Sequence, residues 1–143
     1  MRVFKFGGAS VKDAEGVINV VKVLTEMGHE DTLVVVSAMG KSTNAFEGVV
    51  DAYFEDPDSC KAALHDLEMF HQEIVKTLFN GAHGPVAKRV KNLCAQCDTF
   101  LANNRSPHRA FVYDQVVSFG ELLSTSIISV SYTHLRAHET LTD

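Results

Sequence analysis

The first 36 residues constrain this chain most, because the hydrophobic period changes twice within them. Arg2-Val3-Phe4-Lys5-Phe6 alternates like a short strand and runs into Gly7-Gly8, a tight turn. From about Lys12 to Met27 the apolar residues Val17, Val20, Val21 and Leu24 fall on one helical face, with Gly28 as the stop. Thr32-Leu33-Val34-Val35-Val36 is then a run dominated by β-branched residues, the pattern of a strand covered on both faces. Strand, helix and strand in this order make a βαβ unit, which predicts parallel pairing and a right-handed crossover.

Further along, the pattern is helical. Leu64, Leu67, Phe70, Ile74 and Leu78 recur every three or four residues, and Asn80-Gly81 predicts the end of that helix. A second helix is expected from Pro85 through Val90, Leu93, Cys97 and Leu101, so that the two form a hairpin. After a loop at Asn103–Pro107, a third helix is expected to begin near Tyr113 or Asp114 and to carry Val116, Val117, Gly120, Leu123, Ile127 and Ile128.

Bulk properties narrow the function. The chain has 143 residues, 45% of them hydrophobic and 22% charged, which suits one globular domain. A net charge of -5 offers no basic footprint for nucleic acid. No apolar run approaches the ~20 residues that span a bilayer, so no membrane role is expected. The N-terminus enters a strand at once, and the three cysteines are odd in number, so the cytoplasm is the expected compartment. Cys94 and Cys97 spell C-x-x-C, but inside a helical pattern with no second pair, which predicts buried helix cysteines.

Three segments carry chemistry. In Lys5-Phe6-Gly7-Gly8-Ala9-Ser10, two glycines after a strand let backbone N–H groups approach an anion, and Lys5 can set a charge against phosphate oxygens. Ser37-Ala38-Met39-Gly40-Lys41-Ser42-Thr43-Asn44 ends like a Walker A loop, yet Val35 stands where that motif needs its first glycine. What remains is a cluster of hydroxyls at the C-terminal end of a strand, where open α/β sheets bind ligands, or a helix start capped by Ser42 or Thr43. In Ser118-Phe119-Gly120-Glu121-Leu122-Leu123-Ser124-Thr125, a glycine within a helix costs about 1 kcal/mol relative to alanine. Such a glycine marks a close approach of backbone or ligand, though an ordinary amphipathic helix with Glu121 in solvent fits as well.

Together the segments at 5–11, 35–44 and 118–125 resemble the three signatures of the aspartate kinase branch of the amino-acid kinase family, with Ala9 where threonine is more usual. The resemblance implies a three-layer α/β/α sandwich around a mainly parallel sheet, here truncated. It implies phosphoryl transfer from ATP, as MgATP with Mg2+, to the β-carboxylate of L-aspartate, the first step of lysine, threonine and methionine synthesis. Lys5 would be catalytic and would bind phosphate with Gly7, Gly8 and Ser10. Ser37, Thr43 and Glu121 would bind the substrate, Glu121 pairing with its α-ammonium. No resident protein-bound metal is implied, and the full-length parent would be a homo-oligomer.

Residues 1–129 are thus expected to be the N-terminal part of an amino-acid kinase domain, inactive alone because the family's remaining substrate and nucleotide residues lie further on. Val130 to Thr140, eleven consecutive residues, resemble one reading frame of a transposase-type sequencing adapter, so 130–143 is expected to be a non-native tail. The alternative is a natural terminal strand. His134 and His138 lie four apart but within this tail. Competing functional readings are a non-catalytic aspartate- or nucleotide-binding module, another amino-acid kinase, and the kinase part of a bifunctional aspartate kinase–homoserine dehydrogenase.

Overall fold

The structure, a computed structural model, describes residues 1–81 and 84–142, with side chains described up to Ala137. His138, four residues after His134, therefore lies outside the described side chains. The expected βαβ unit is present. Strand β1 (Arg2–Phe6) leads through a 3-10 turn (Gly8–Val11) into helix α1 (Ala14–Met27), and strand β2 (Thr32–Val36) returns parallel to β1. The register pairs Arg2 with Thr32 and Phe6 with Val36. Asp13 caps α1 by accepting a hydrogen bond from the Gly16 N–H at 2.8 Å, a cap of about 1 kcal/mol.

Four helices follow: α2 (Ser42–Glu55), α3 (Pro57–Phe79), α4 (Pro85–Asn103) and α5 (Arg109–Thr142). The α3–α4 hairpin forms as its periodicity predicts. Both helices carry proline in the first turn, where its missing N–H costs nothing, and α3 ends with Asn80 in the left-handed region at φ 56°. Val17, Phe46, Val49, Val75, Val90, Leu93, Val116, Leu123 and Ile127 form one continuous core. Each such side chain contributes about 1.5–3 kcal/mol by leaving water.

The chain is α/β, as expected, and mostly helical, with a sheet of only two strands among the described residues. Three expectations need correction. Strand β2 is not covered on both faces, because too little of it lies under a helix: Leu33, Val34 and Val35 are 50%, 36% and 40% exposed. Phe70 lies near the surface at 39% exposure, although its spacing matched the buried face of α3. Helix α5 begins at Arg109, a turn before Tyr113, because Val112 is fully buried and Arg109 pairs with Asp51 of α2.

The same helix runs on without a break at Ser129, so Val130–Thr142 is helical rather than a strand. Ser131 is buried, and the Tyr132 ring lies edge-on to His29 with centroids 6.0 Å apart.

Candidate functional site

Pairing of β1 with β2 brings the first two segments side by side, because both strands end at the same level. Beyond the last strand pair, Ser37 N–H donates to the Phe6 carbonyl at 2.9 Å. Gly40 N–H then donates to the Gly8 carbonyl at 3.1 Å, tying one loop to the other. The contact is too close for a side chain. A Cβ on Gly8 would sit 2.9 Å from the Gly40 carbonyl oxygen and 3.0 Å from that of Ala38. Gly40 adopts φ +55°, which a side chain would strain, and it faces Lys12.

The third segment arrives on α5. A Cβ on Gly120 would lie 2.9 Å from the Ala38 Cβ and 3.6 Å from the Phe46 ring. The glycine in mid-helix is therefore the close approach that its cost suggested: it seats α5 on the second loop and on α2. Ala38 is the common point, touched by Gly8 from one side and Gly120 from the other.

The residues singled out in the sequence divide by exposure. Lys5, Gly7, Ser10 and Glu121 are exposed, whereas Gly8, Ser37 and Thr43 are half-buried. Lys5 stands opposite Val35 in the register, one residue before the strand's end. Gly7 precedes the 3-10 turn, and its carbonyl accepts from the Ser10 N–H at 3.0 Å. Thr43 is in the first turn of α2 and half-buried, and Glu121 follows the buried Gly120.

Neither Ser42 nor Thr43 caps α2. The cap position falls on Lys41 with no side-chain hydrogen bond, and Ser42 is turned inward.

Periodicity did not reveal how α2 and α5 are locked together. Tyr113 OH donates to Glu47 Oε1 at 2.8 Å, and this hydrogen bond to a carboxylate pushes the phenol's pKa up. Glu47 lies one turn beyond Thr43 on α2, while Tyr113 lies two turns before Glu121 on α5. The pair therefore holds the second and third segments in register. Only the i, i+4 spacing of Thr43 with Glu47 and of Tyr113 with Val117 and Glu121 could have signalled it.

The cysteines are buried in the helices, as the pattern of that segment implies. Burial pushes the thiols of Cys94 and Cys97 up to about 12, so both stay protonated. Among the described residues, no group of three or more His, Cys, Asp or Glu side chains is arranged to hold a metal. No described helix is long and apolar enough to cross a membrane.

A parallel strand pair with glycine-tight loops at its C-terminal end, met by a helix, defines the class: an α/β protein whose loops gather where open α/β sheets usually bind ligands. Comparison with known proteins then gives the family. The chain is 30% identical over 135 residues to chloroplastic aspartokinase 3 of Arabidopsis thaliana, covering 89% of this chain and 23% of that protein. It is 31% identical over 132 residues to the chloroplastic bifunctional aspartokinase/homoserine dehydrogenase 1 of Zea mays, covering 89% of this chain and 14% of that one.

Its fold matches E. coli aspartokinase III in complex with aspartate and ADP, and also the form with lysine and aspartate. Each match has a TM-score of 0.76 at 23% identity, over 96% of this chain and 29% of the solved one. No family model matches. By sequence and by fold the chain is related to the aspartate kinases, as a fragment that spans less than a third of each relative's length.

Proposed function

We propose that this chain is the part of an aspartate kinase that holds the acceptor amino acid and the transferring phosphoryl group. One observation carries the proposal. The three segments that resemble the family's signatures, far apart in sequence, meet around Ala38, which both Gly8 and Gly120 approach too closely for any side chain.

The phosphate end of a nucleotide fits the first segment. A Cβ on Gly7 would meet nothing within 4 Å, so the backbone at the turn is open to a ligand, and Lys5 and Ser10 are exposed beside it. In this reading Lys5 stabilises charge on the phosphoryl oxygens of MgATP. Ser37 and Thr43 hydrogen-bond the carboxylates of L-aspartate, and Glu121 accepts from its α-ammonium. The β-carboxylate oxygen attacks phosphorus in line and the ADP oxygen leaves, giving 4-phospho-L-aspartate without an enzyme nucleophile. The complete three-layer sandwich, the cytoplasmic location and a homo-oligomeric parent belong to the same proposal, although both curated relatives are named as chloroplastic.

The chain by itself should release no ADP in an aspartate-dependent assay. Turnover that disappears in Lys5→Ala would overturn this expectation. Reading the source DNA across the codon for Ser129 tests the boundary: a frame that departs from Val130 onward supports a longer native kinase. In that longer protein, Glu121→Gln should raise the KM for aspartate about tenfold or more and leave the KM for ATP unchanged. An unchanged aspartate KM would remove Glu121 from the site.

A further inference from the structure

Helices α2 and α5 meet in an antiparallel register marked by two rungs. Asp51 pairs with Arg109, and one turn nearer the loop cluster Tyr113 OH donates to Glu47 Oε1 at 2.8 Å. A step of one turn back along α2 is therefore matched by one turn forward along α5. The next step sets Thr43, in the first turn of α2, level with Val117. Glu121 lies one turn further along α5, beside Gly120, which meets Ala38 of the second loop. The Glu47–Tyr113 bond is thus the rung next to the residues proposed to hold the acceptor.

The two rungs differ in kind. Asp51 and Arg109 are 56% and 49% exposed, so solvent screens their pairing. Glu47 and Tyr113 are half-buried, and the phenol donates to a charged acceptor. Such a bond is directional and roughly twice as strong as one between neutral groups. The same carboxylate pushes the phenol's pKa up, so the donor persists across the neutral range.

Resting on the function proposed above, we infer that Tyr113 and Glu47 are positioning residues for the acceptor amino acid. They act through Thr43 and Glu121 rather than on the substrate. Their bond fixes how far Glu121, which takes the α-ammonium, stands from Thr43, which takes a carboxylate. Aspartate binds well when both ends are met at once, and an error in that span weakens both contacts.

Tyr113→Phe keeps the ring and removes the donor. In the 15N-labelled chain it should move the amide signals of Thr43 and Glu121, whereas Arg109→Ala, one turn further out, should leave both in place. In the longer kinase Tyr113→Phe should raise the KM for aspartate about threefold or more, with kcat and the KM for ATP changed by less than about twofold. Glu47→Ala should match it, and the double variant should lose no more. Glu47→Gln, which still offers an acceptor oxygen, should keep the unsubstituted protein's KM, and so should Arg109→Ala. The inference falls if Tyr113→Phe moves neither signal, if it raises the aspartate KM no more than Arg109→Ala does, or if Glu47→Gln behaves like Glu47→Ala. Glu121→Gln in the same assay separates the two readings. If it leaves the aspartate KM unchanged, the site itself is misread and the positioning role falls with it. If it raises that KM while Tyr113→Phe does not, the positioning role alone is lost.

Discussion

On the helical hairpin, Leu67, Val75, Val90, Leu93 and Cys97 are 4% exposed or less, while on the strand pair Val3, Leu33 and Val35 are 59%, 50% and 40% exposed. Both regions are rich in apolar residues, so composition does not explain the contrast. A helical hairpin finds its cover in the next helix along the chain. A sheet two strands wide keeps both edges open, and its faces are covered only where a helix lies across them.

The contrast can be broken most directly by equal truncations. Leu93→Ala, at 1% exposure, should cost about 2–5 kcal/mol in a urea unfolding curve. Leu33→Ala, at 50% exposure, should cost under about 1 kcal/mol. Equal costs would mean that the strand surface is covered in solution, with self-association through the open edge the first thing to measure.

A second pair of variants sharpens the same contrast at the place where the two regions join. Gly120→Val pushes a branched side chain against Ala38 and Phe46 and should destabilise by about 1–3 kcal/mol. Gly48→Ala, in α2 with nothing within 4 Å of the added carbon, should instead gain up to about 1 kcal/mol. If Gly120→Val is neutral, α5 does not press on the second loop, and the convergence of the three segments loses its support.

What could be read in advance follows the same division. The βαβ unit, the hairpin and its proline starts were readable because helix periodicity, turn residues and first-turn prolines are local signals. The cost of Gly120 correctly announced a close contact, but not that Ala38 was the partner. The cover of β2 was misjudged because a β-branched run reports strand propensity, while the helices that bury a face are distant in sequence. Phe70 matched the helical period yet faces outward, since spacing gives a face and packing decides how wide that face is. The inward turn of Ser42 and the Tyr113–Glu47 bond depend on partners distant in sequence, which no local pattern encodes.

The hairpin region carries a further consequence of its completeness. His71 is fully buried on α3, with Nδ1 donating to the Leu67 carbonyl at 2.8 Å and Nε2 without a partner among the described residues. Burial pulls its pKa below the usual 6.5, outweighing the backbone hydrogen bond. The unfolded chain therefore takes up a proton at a higher pH than the folded one. Stability from this group is intact above about pH 6.5 and is lost as pH falls from there through the folded pKa, by at most about 1.4 kcal/mol per pH unit. Urea curves at falling pH should show a steeper loss for the parent than for His71→Leu; parallel curves would mean that His71 is hydrated in solution.

The smallest effect is expected where α2 and α5 meet at the surface. Arg109 pairs with Asp51, and both side chains are about half exposed, at 49% and 56%. Solvent screens such a pair, so a double-mutant cycle with Arg109→Ala and Asp51→Ala should give a coupling of about 0.2–1 kcal/mol that fades with added salt. Arg109→Ala alone should cost more than the coupling, because the guanidinium also lies 5.5 Å from the centre of the Phe54 ring. Helix α5 should still begin in the same turn, since Val112 is buried whatever stands at 109. A coupling well above that range, insensitive to salt, would mean that this rim is desolvated, and that the sheet-side helices are closed more tightly than their exposed strands suggest.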